Sequence, residues 1–132
     1  MCGIAGFNFK VENKNAIFDK LYHRGPDEQS EWSDEKFSFF HTRLSIQDIY
    51  SGHQPFKYKN YIIIFNGEIY NHLELRKNLN VNWTTNSDTE TLLHLYLKYK
   101  EKMFKYIYFT TKSKFISFLI NIKWFFTCSI PC

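Results

Sequence analysis

The stretch YIIIF, residues 61–65, limits the possible folds more than any other in the chain. A continuous apolar run of this length is consistent with a strand buried on both sides. Such a strand needs other elements to cover each face. CGIAGFNF at the start reads as a second strand, with Ile4, Phe7 and Phe9 apolar and small residues between them. FSFFHTRLSI (37–46) is rich in aromatic and β-branched residues and reads as a third. Residues 16–23 carry a short helical pattern, and NHLELRKNL (71–79) places Leu75 and Leu79 four apart on a helix. NSDTETLLHLYLKY (86–99) is the clearest helix: Ser87 and Glu90 have capping-box spacing, and Leu92, Leu93, Tyr96 and Leu97 form an apolar stripe. Gly25-Pro26 and SGHQP mark loops. Strands and helices alternate without a βαβ rhythm, with no repeat and no linker, so the expected class is α+β.

The 132 residues allow one domain with a modest core. The net charge of +4 is unevenly spread: 12 Lys+Arg face 13 Asp+Glu through Glu101, and 5 Lys with no acid follow. The basicity therefore belongs to the tail and describes no nucleic-acid-binding face. Cys2, Cys128 and Cys132 lie at the two ends without metal-ligand spacing, and their odd number argues against a secreted disulfide framework. No basic region followed by an apolar run opens the chain, so the expected compartment is the cytoplasm.

MCGIAG poses the chemical question. An early cysteine is by default a small buried residue. If Met1 is removed, however, Cys2 carries a thiol and a free α-amine on one carbon. A thiol becomes a strong nucleophile once a base takes its proton, and an α-amine titrating at about 7.7–8.0 can serve as that base. The attacked carbonyl then needs an oxyanion hole. Asn66 offers a side-chain NH₂ and Gly67 a backbone N–H, though Asn-Gly is also the strongest short hairpin signal. Arg43 reads either as a solvated charge at a strand end or as a clamp for a carboxylate. Asp88 reads as a first-turn acid that suits the helix dipole or as the partner of a substrate ammonium.

MCGIAG, HRGPDE (23–28), HTRLSI (41–46), GHQP (52–55), FNGEIYNH (65–72) and SDTE (87–90) occur in that order. Together they resemble the glutaminase domain of glutamine-hydrolysing asparagine synthetases, within the class II glutamine amidotransferases. The resemblance covers about residues 1–107, and several motifs in fixed order are far more specific than any one. It implies a four-layer αββα sandwich of the N-terminal-nucleophile type. Cys2 would attack the side-chain amide of glutamine, releasing ammonia and then glutamate, with Asn66 and Gly67 as the oxyanion hole. Arg43 would hold the α-carboxylate of glutamine and Asp88 its α-ammonium. Leu44, Ser45, Ile46, Gln47 and Glu68 would contact the substrate, Gln47 standing where the family usually has a small aliphatic residue. The loop 24–27 would be structural. In such synthetases the ammonia passes to a second domain, where ATP and Mg²⁺ activate aspartate. These residues hold no such domain and no Gly-rich phosphate loop, so no cofactor and no metal are expected within them. The alternative is an inactive remnant, or a module that binds glutamine without hydrolysing it.

Residues 108–132 do not match the family. They contain no glycine and no acid and are dense in aromatics and lysine. An out-of-frame or truncated product, leaving the fold incomplete at its C-terminus, is the first expectation. A membrane-associating segment is the second, although Lys123 interrupts FISFLINIKWFF and a span needs ~20 apolar residues. A replacement strand or helix is the third.

Overall fold

In the computed structural model, residues 2–108 are described, together with the backbone of 117–120 and 123–125. Met1 and residues 109–116, 121–122 and 126–132 lie outside the described set, and with them most of the segment 108–132 for which three readings were given. The chain is a mixture of helices and strands, as an α+β protein should be. Strands β1 (Gly3–Phe7), β2 (Glu28–Ser33) and β3 (Ser38–Arg43) form one antiparallel sheet in the order β1-β3-β2. Strands β4 (Phe56–Tyr58), β5 (Tyr61–Asn66), β6 (Ser117–Ile120) and β7 (Lys123–Phe125) form a second, in that order. The expected strand at YIIIF is thus β5, with β4 on one edge and β6 on the other.

Both faces of β5 are covered, as its composition requires. Ile62 and Ile64 pack with Phe39 of β3, flanked by Ile4, Trp32 and Phe37. Ile63 and Phe65 point the other way, into a cluster with Leu75, Leu92, Leu93, Tyr96 and Met103. That cluster is supplied by helices α2 (His72–Lys77) and α3 (Asp88–Tyr99) and by a 3₁₀ helix at Lys100–Lys105. On the first sheet Phe40 turns away from the second: its ring meets Phe18 of α1 (Lys14–Leu21) edge-on at 5.4 Å. Alternation along β3 therefore sends Phe39 towards β5 and Phe40 towards α1.

Two local expectations change. Ser87 caps α3 by accepting from Thr89 N at 3.1 Å, but Glu90 does not return to Ser87 N. Glu90 accepts instead from the N–H and hydroxyl groups of Thr84 and Thr85. Asn66-Gly67 is not a type I′ hairpin turn, because that turn needs positive φ at both positions and neither has it. The chain enters α2 instead.

Candidate active site

The N-terminus is held by the loop that follows α1. Arg24 Nε donates to the Cys2 carbonyl at 3.2 Å. Gly25 lies against the end of β3, where a Cβ would run into the Thr42 carbonyl and the Arg43 backbone. Asp27 N donates to Arg43 O at 3.1 Å, and Asp27 Oδ2 accepts from Ser45 N at 2.7 Å. The 24–27 loop thus fastens Cys2 and the segment after β3 to one another. The Cys2 sulfur accepts from Leu44 N at 3.4 Å, and the thiol is free.

Arg43 ends β3 and is only 4% exposed, so the solvated-edge reading of it does not hold. Its guanidinium donates to the carbonyls of Gln47, at 3.0 Å, of Asp48, and of Ile49, at 3.3 Å. It also meets Glu28 Oε2 at 3.3 Å. The chain after β3 curls round this cation. Gly52 makes room for it, since a Cβ there would sit 2.8 Å from Arg43 Nη2. Asp48 takes φ 45° to complete the curl, a left-handed conformation that aspartate tolerates.

β5 delivers Asn66 and Gly67 at its C-terminal end, and α3 delivers Asp88 at its first residue. Asp88 is 5% exposed, and its Oδ2 accepts from Ile69 N at 3.0 Å. Burial raises its carboxyl to about 6, and the charge of Glu68 adds to the rise. Glu68 Oε1 accepts from Gln47 Nε2 at 3.3 Å, a contact between the loop after β3 and the loop after β5.

A cavity of about 160 Å³ opens where these pieces converge. Its wall contains Cys2, Arg43, Leu44, Ile46, Gln47, Asn66, Gly67, Glu68 and Asp88, all singled out from the sequence. Ser45, also singled out, is not on that wall; its N–H is turned to Asp27. The sequence reading missed Gly52, Gln54, Phe65, Ser87 and Thr89 as cavity residues. All five lie inside motifs already quoted, Gly52 and Gln54 in GHQP, Phe65 in FNGEIYNH, and Ser87 and Thr89 in SDTE, and membership of those motifs is the signal that could have found them. Among the described residues no cluster of His, Cys, Asp and Glu is set to hold a metal, and no helix is long and apolar enough to cross a membrane.

A model of the glutamine amidotransferase domain family matches residues 1–108. Asparagine synthetase [glutamine-hydrolyzing] 3 of Bacillus subtilis (strain 168) is 41% identical over 115 residues, covering 76% of this chain and 19% of the relative. Asparagine synthetase [glutamine-hydrolyzing] 1 of the same organism is 43% identical over 116 residues, 77% of this chain and 18% of the relative. Asparagine synthetase [glutamine-hydrolyzing] 3 of Arabidopsis thaliana is 36% identical over 131 residues, 86% of this chain and 23% of the relative. The chain spans about a fifth of the length of these relatives. Because the family match runs through every residue of the cavity wall, fold, site and comparison have one reading: the chain belongs to the glutamine amidotransferase domain family.

Proposed function

We propose that this chain hydrolyses the side-chain amide of glutamine, with Cys2 as nucleophile once Met1 has been removed. The carrying observation is the shared cavity, which puts the Cys2 thiol, the Asn66–Gly67 strand end and the Asp88 carboxylate on one wall. The α-amine of Cys2 takes the thiol proton as sulfur attacks the amide carbon. Asn66 and Gly67 donate to the oxyanion, and each such donor is worth about 2.7–4 kcal/mol in the transition state. The tetrahedral adduct collapses, the C–N bond breaks, and the departing nitrogen leaves as ammonia with the proton that the α-amine held. Water then cleaves the thioester to give glutamate and restore the thiol.

Asp88 binds the α-ammonium in this reading, with Glu68 beside it. Arg43 binds the α-carboxylate by giving up part of its hold on the 47–49 carbonyls. The α+β arrangement is proposed to be the four-layer αββα sandwich of N-terminal nucleophile enzymes, supported by the covering of both faces of β5 and by the Phe18–Phe40 contact. The ammonia is proposed to serve asparagine formation in a synthetase domain of the kind named in the relatives, where ATP and Mg²⁺ would act. The cytoplasm is the proposed compartment, because the nucleophile must remain a free thiol.

The second reading, glutamine binding without hydrolysis, meets the same requirement at Arg43 as the first. The Arg43 donors are already engaged by loop carbonyls and Glu28, so substrate must displace them. Purified chain incubated with L-glutamine decides between the two. Glutamate released by the parent and not by Cys2→Ala supports hydrolysis. Binding of glutamine without glutamate release supports the second reading. Intact-mass measurement showing Met1 retained on an active chain would exclude the α-amine as base.

A further inference from the structure

Gln54 stands just ahead of the β4 ladder, and the register shows what its side chain replaces. Phe56 opposes Ile63, so continued antiparallel pairing would set residue 54 opposite Phe65. Pro55 intervenes, has no N–H to give, and the ladder begins only at Phe56. The Gln54 side chain supplies the missing partner: its Oε1 accepts from Phe65 N at 2.6 Å. The opposite end of the same amide, Nε2, donates to Thr89 Oγ1 at 3.1 Å. Both bonds are buried, and the Gln54 carbonyl is itself anchored by the Ser30 hydroxyl of β2.

These contacts fall beside the two ends of the candidate site. Phe65 immediately precedes Asn66, and Thr89 immediately follows Asp88. A glutamine amide combines an acceptor at one corner with an N–H donor at the other in a rigid plane. We infer that Gln54 is a positioning residue that fixes the spacing between the Asn66–Gly67 strand end and Asp88, and with it the preference for glutamine over the shorter asparagine. The inference rests on the proposed glutaminase reading, which places the substrate amide at the first and the α-ammonium at the second. The two amino acids carry the same groups and differ by one methylene, so a fixed spacing separates them where a loose one does not.

The test measures calorimetric Kd values for L-glutamine and L-asparagine on the full chain carrying Cys2→Ala. Thr89→Val removes the acceptor for Gln54 Nε2 at nearly constant shape, and Thr89→Ser keeps the hydroxyl. Thr89→Val is expected to narrow the glutamine-to-asparagine ratio about tenfold, and Thr89→Ser to keep it near the parent value. A ratio unchanged in Thr89→Val, or lost equally in Thr89→Ser, overturns the inference while the glutaminase reading stands. A parent that binds neither amino acid overturns both. Gln54→Met, which removes both ends of the amide, is expected to speed deuterium exchange at Phe65 N at least about tenfold. Exchange at the parent rate would show that the strand end does not depend on this side chain and would overturn the inference. If Gln54→Met does not fold, the two Thr89 variants alone decide.

Discussion

The Asp48 carboxylate accepts a hydrogen bond from the Asn86 backbone N–H at 2.8 Å, across 38 positions of sequence. It also accepts from Ser51 N at 3.2 Å and from Ser51 Oγ at 2.6 Å. Burial alone would raise its carboxyl; the bonds from Ser51 and Asn86 outweigh that and hold it below the usual carboxylate range. One side chain therefore ties the loop that wraps Arg43 to the loop that leads into Asp88. Asp48→Ala is expected to weaken L-glutamine binding about tenfold and to lower stability by about 1–3 kcal/mol, part of it from placing alanine at φ 45°. Asp48→Asn keeps the conformation and half of the acceptors, and should fall between. Calorimetry and urea unfolding read the two effects.

Glutamine affinity should depend on pH through Asp88. Burial raises this carboxyl to about 6, so it loses its charge in mildly acid solution. Only the ionised form pairs with a substrate ammonium. Below pH 6 the Kd of a Cys2→Ala chain should rise, approaching about tenfold per pH unit. Above pH 7 it should be flat until the glutamine amine itself titrates. Asp88→Asn should bind weakly at every pH between 5 and 7.5. A parent Kd that is level across that range would show that Asp88 does not read the ammonium.

His41 gives stability an opposing pH dependence. It is fully buried in β3, and burial lowers its pKa to about 4, with the Arg43 charge beside it, against the charge of Glu28 and the Phe65 backbone. The unfolded chain takes up the imidazole proton near 6.5 and the folded chain only near 4. Acidification through that window therefore favours unfolding, by about 3 kcal/mol in all. Asp88 acts in the other direction: the folded chain binds its proton near 6 and the unfolded chain near 3.8, so acidification across 6 to 4 favours folding by about the same amount. The parent should show little net slope from these two groups. Asp88→Asn should uncover the His41 term, losing about 3 kcal/mol between pH 6.5 and 4 in urea unfolding. His41→Gln should tilt the profile the other way.

What was legible from sequence followed the physics of each element. YIIIF could be read as a doubly buried strand because no polar residue interrupts it, and α3 because its stripe repeats at helical spacing. EQSEWS was not read as β2: it has one large apolar residue, Trp32, and its strand state comes from pairing with β3. FKY was too short to register. At the site, the cavity residues could be named because short motifs carry them, yet their partners could not. Arg43 was left between an edge charge and a clamp because the carbonyls that surround it belong to a loop curl with no periodicity. Gln54 was passed over because its two side-chain partners lie 11 and 35 positions away. Glu90 was paired with the wrong donors because the spacing that suggests a capping box says nothing of Thr84 and Thr85 folding back towards it.

Glu90 leads to a sharper stability test. It is 1% exposed and accepts from Thr84 N at 3.0 Å, Thr84 Oγ1 at 2.9 Å, and Thr85 N and Oγ1 at 2.7 Å each. Burial pushes its carboxyl up, but these bonds prevail and the net shift is downward. Arg76 closes the other side, with Nε on Thr91 Oγ1 at 2.7 Å, Nη2 on Ser87 O at 2.6 Å, and its plane 4.2 Å over the Trp83 ring. Every group facing the carboxylate is a donor. Glu90→Gln turns an NH₂ towards donors and should cost about 2–4 kcal/mol, measured by urea unfolding at pH 7. Arg76→Lys should lose less, because the ammonium keeps the charge but not the planar fork.

The 24–27 loop holds Cys2, the proposed nucleophile, through the bond from Arg24 Nε to the Cys2 carbonyl. A Cβ on Gly25 would press on the Thr42 carbonyl and on the Arg43 backbone carbon, neither of which can swing aside as a side-chain tip could. The φ of Gly25 is −164°, extended backbone open to any residue, so the effect is steric and not conformational. Gly25→Ala must therefore lift the 24–27 loop off the end of β3. The Arg24–Cys2 bond at 3.2 Å and the Ser45–Asp27 bond at 2.7 Å depend on that seat. Arg24→Gln removes the first bond without moving the loop. If the loop acts by holding Cys2, both variants should lower the rate of glutamate release, about tenfold for Arg24→Gln, while the L-glutamine Kd of the Arg24→Gln chain stays near that of the parent. A Kd that worsens as much as the rate would mean that the loop shapes the substrate pocket and not the approach of the sulfur.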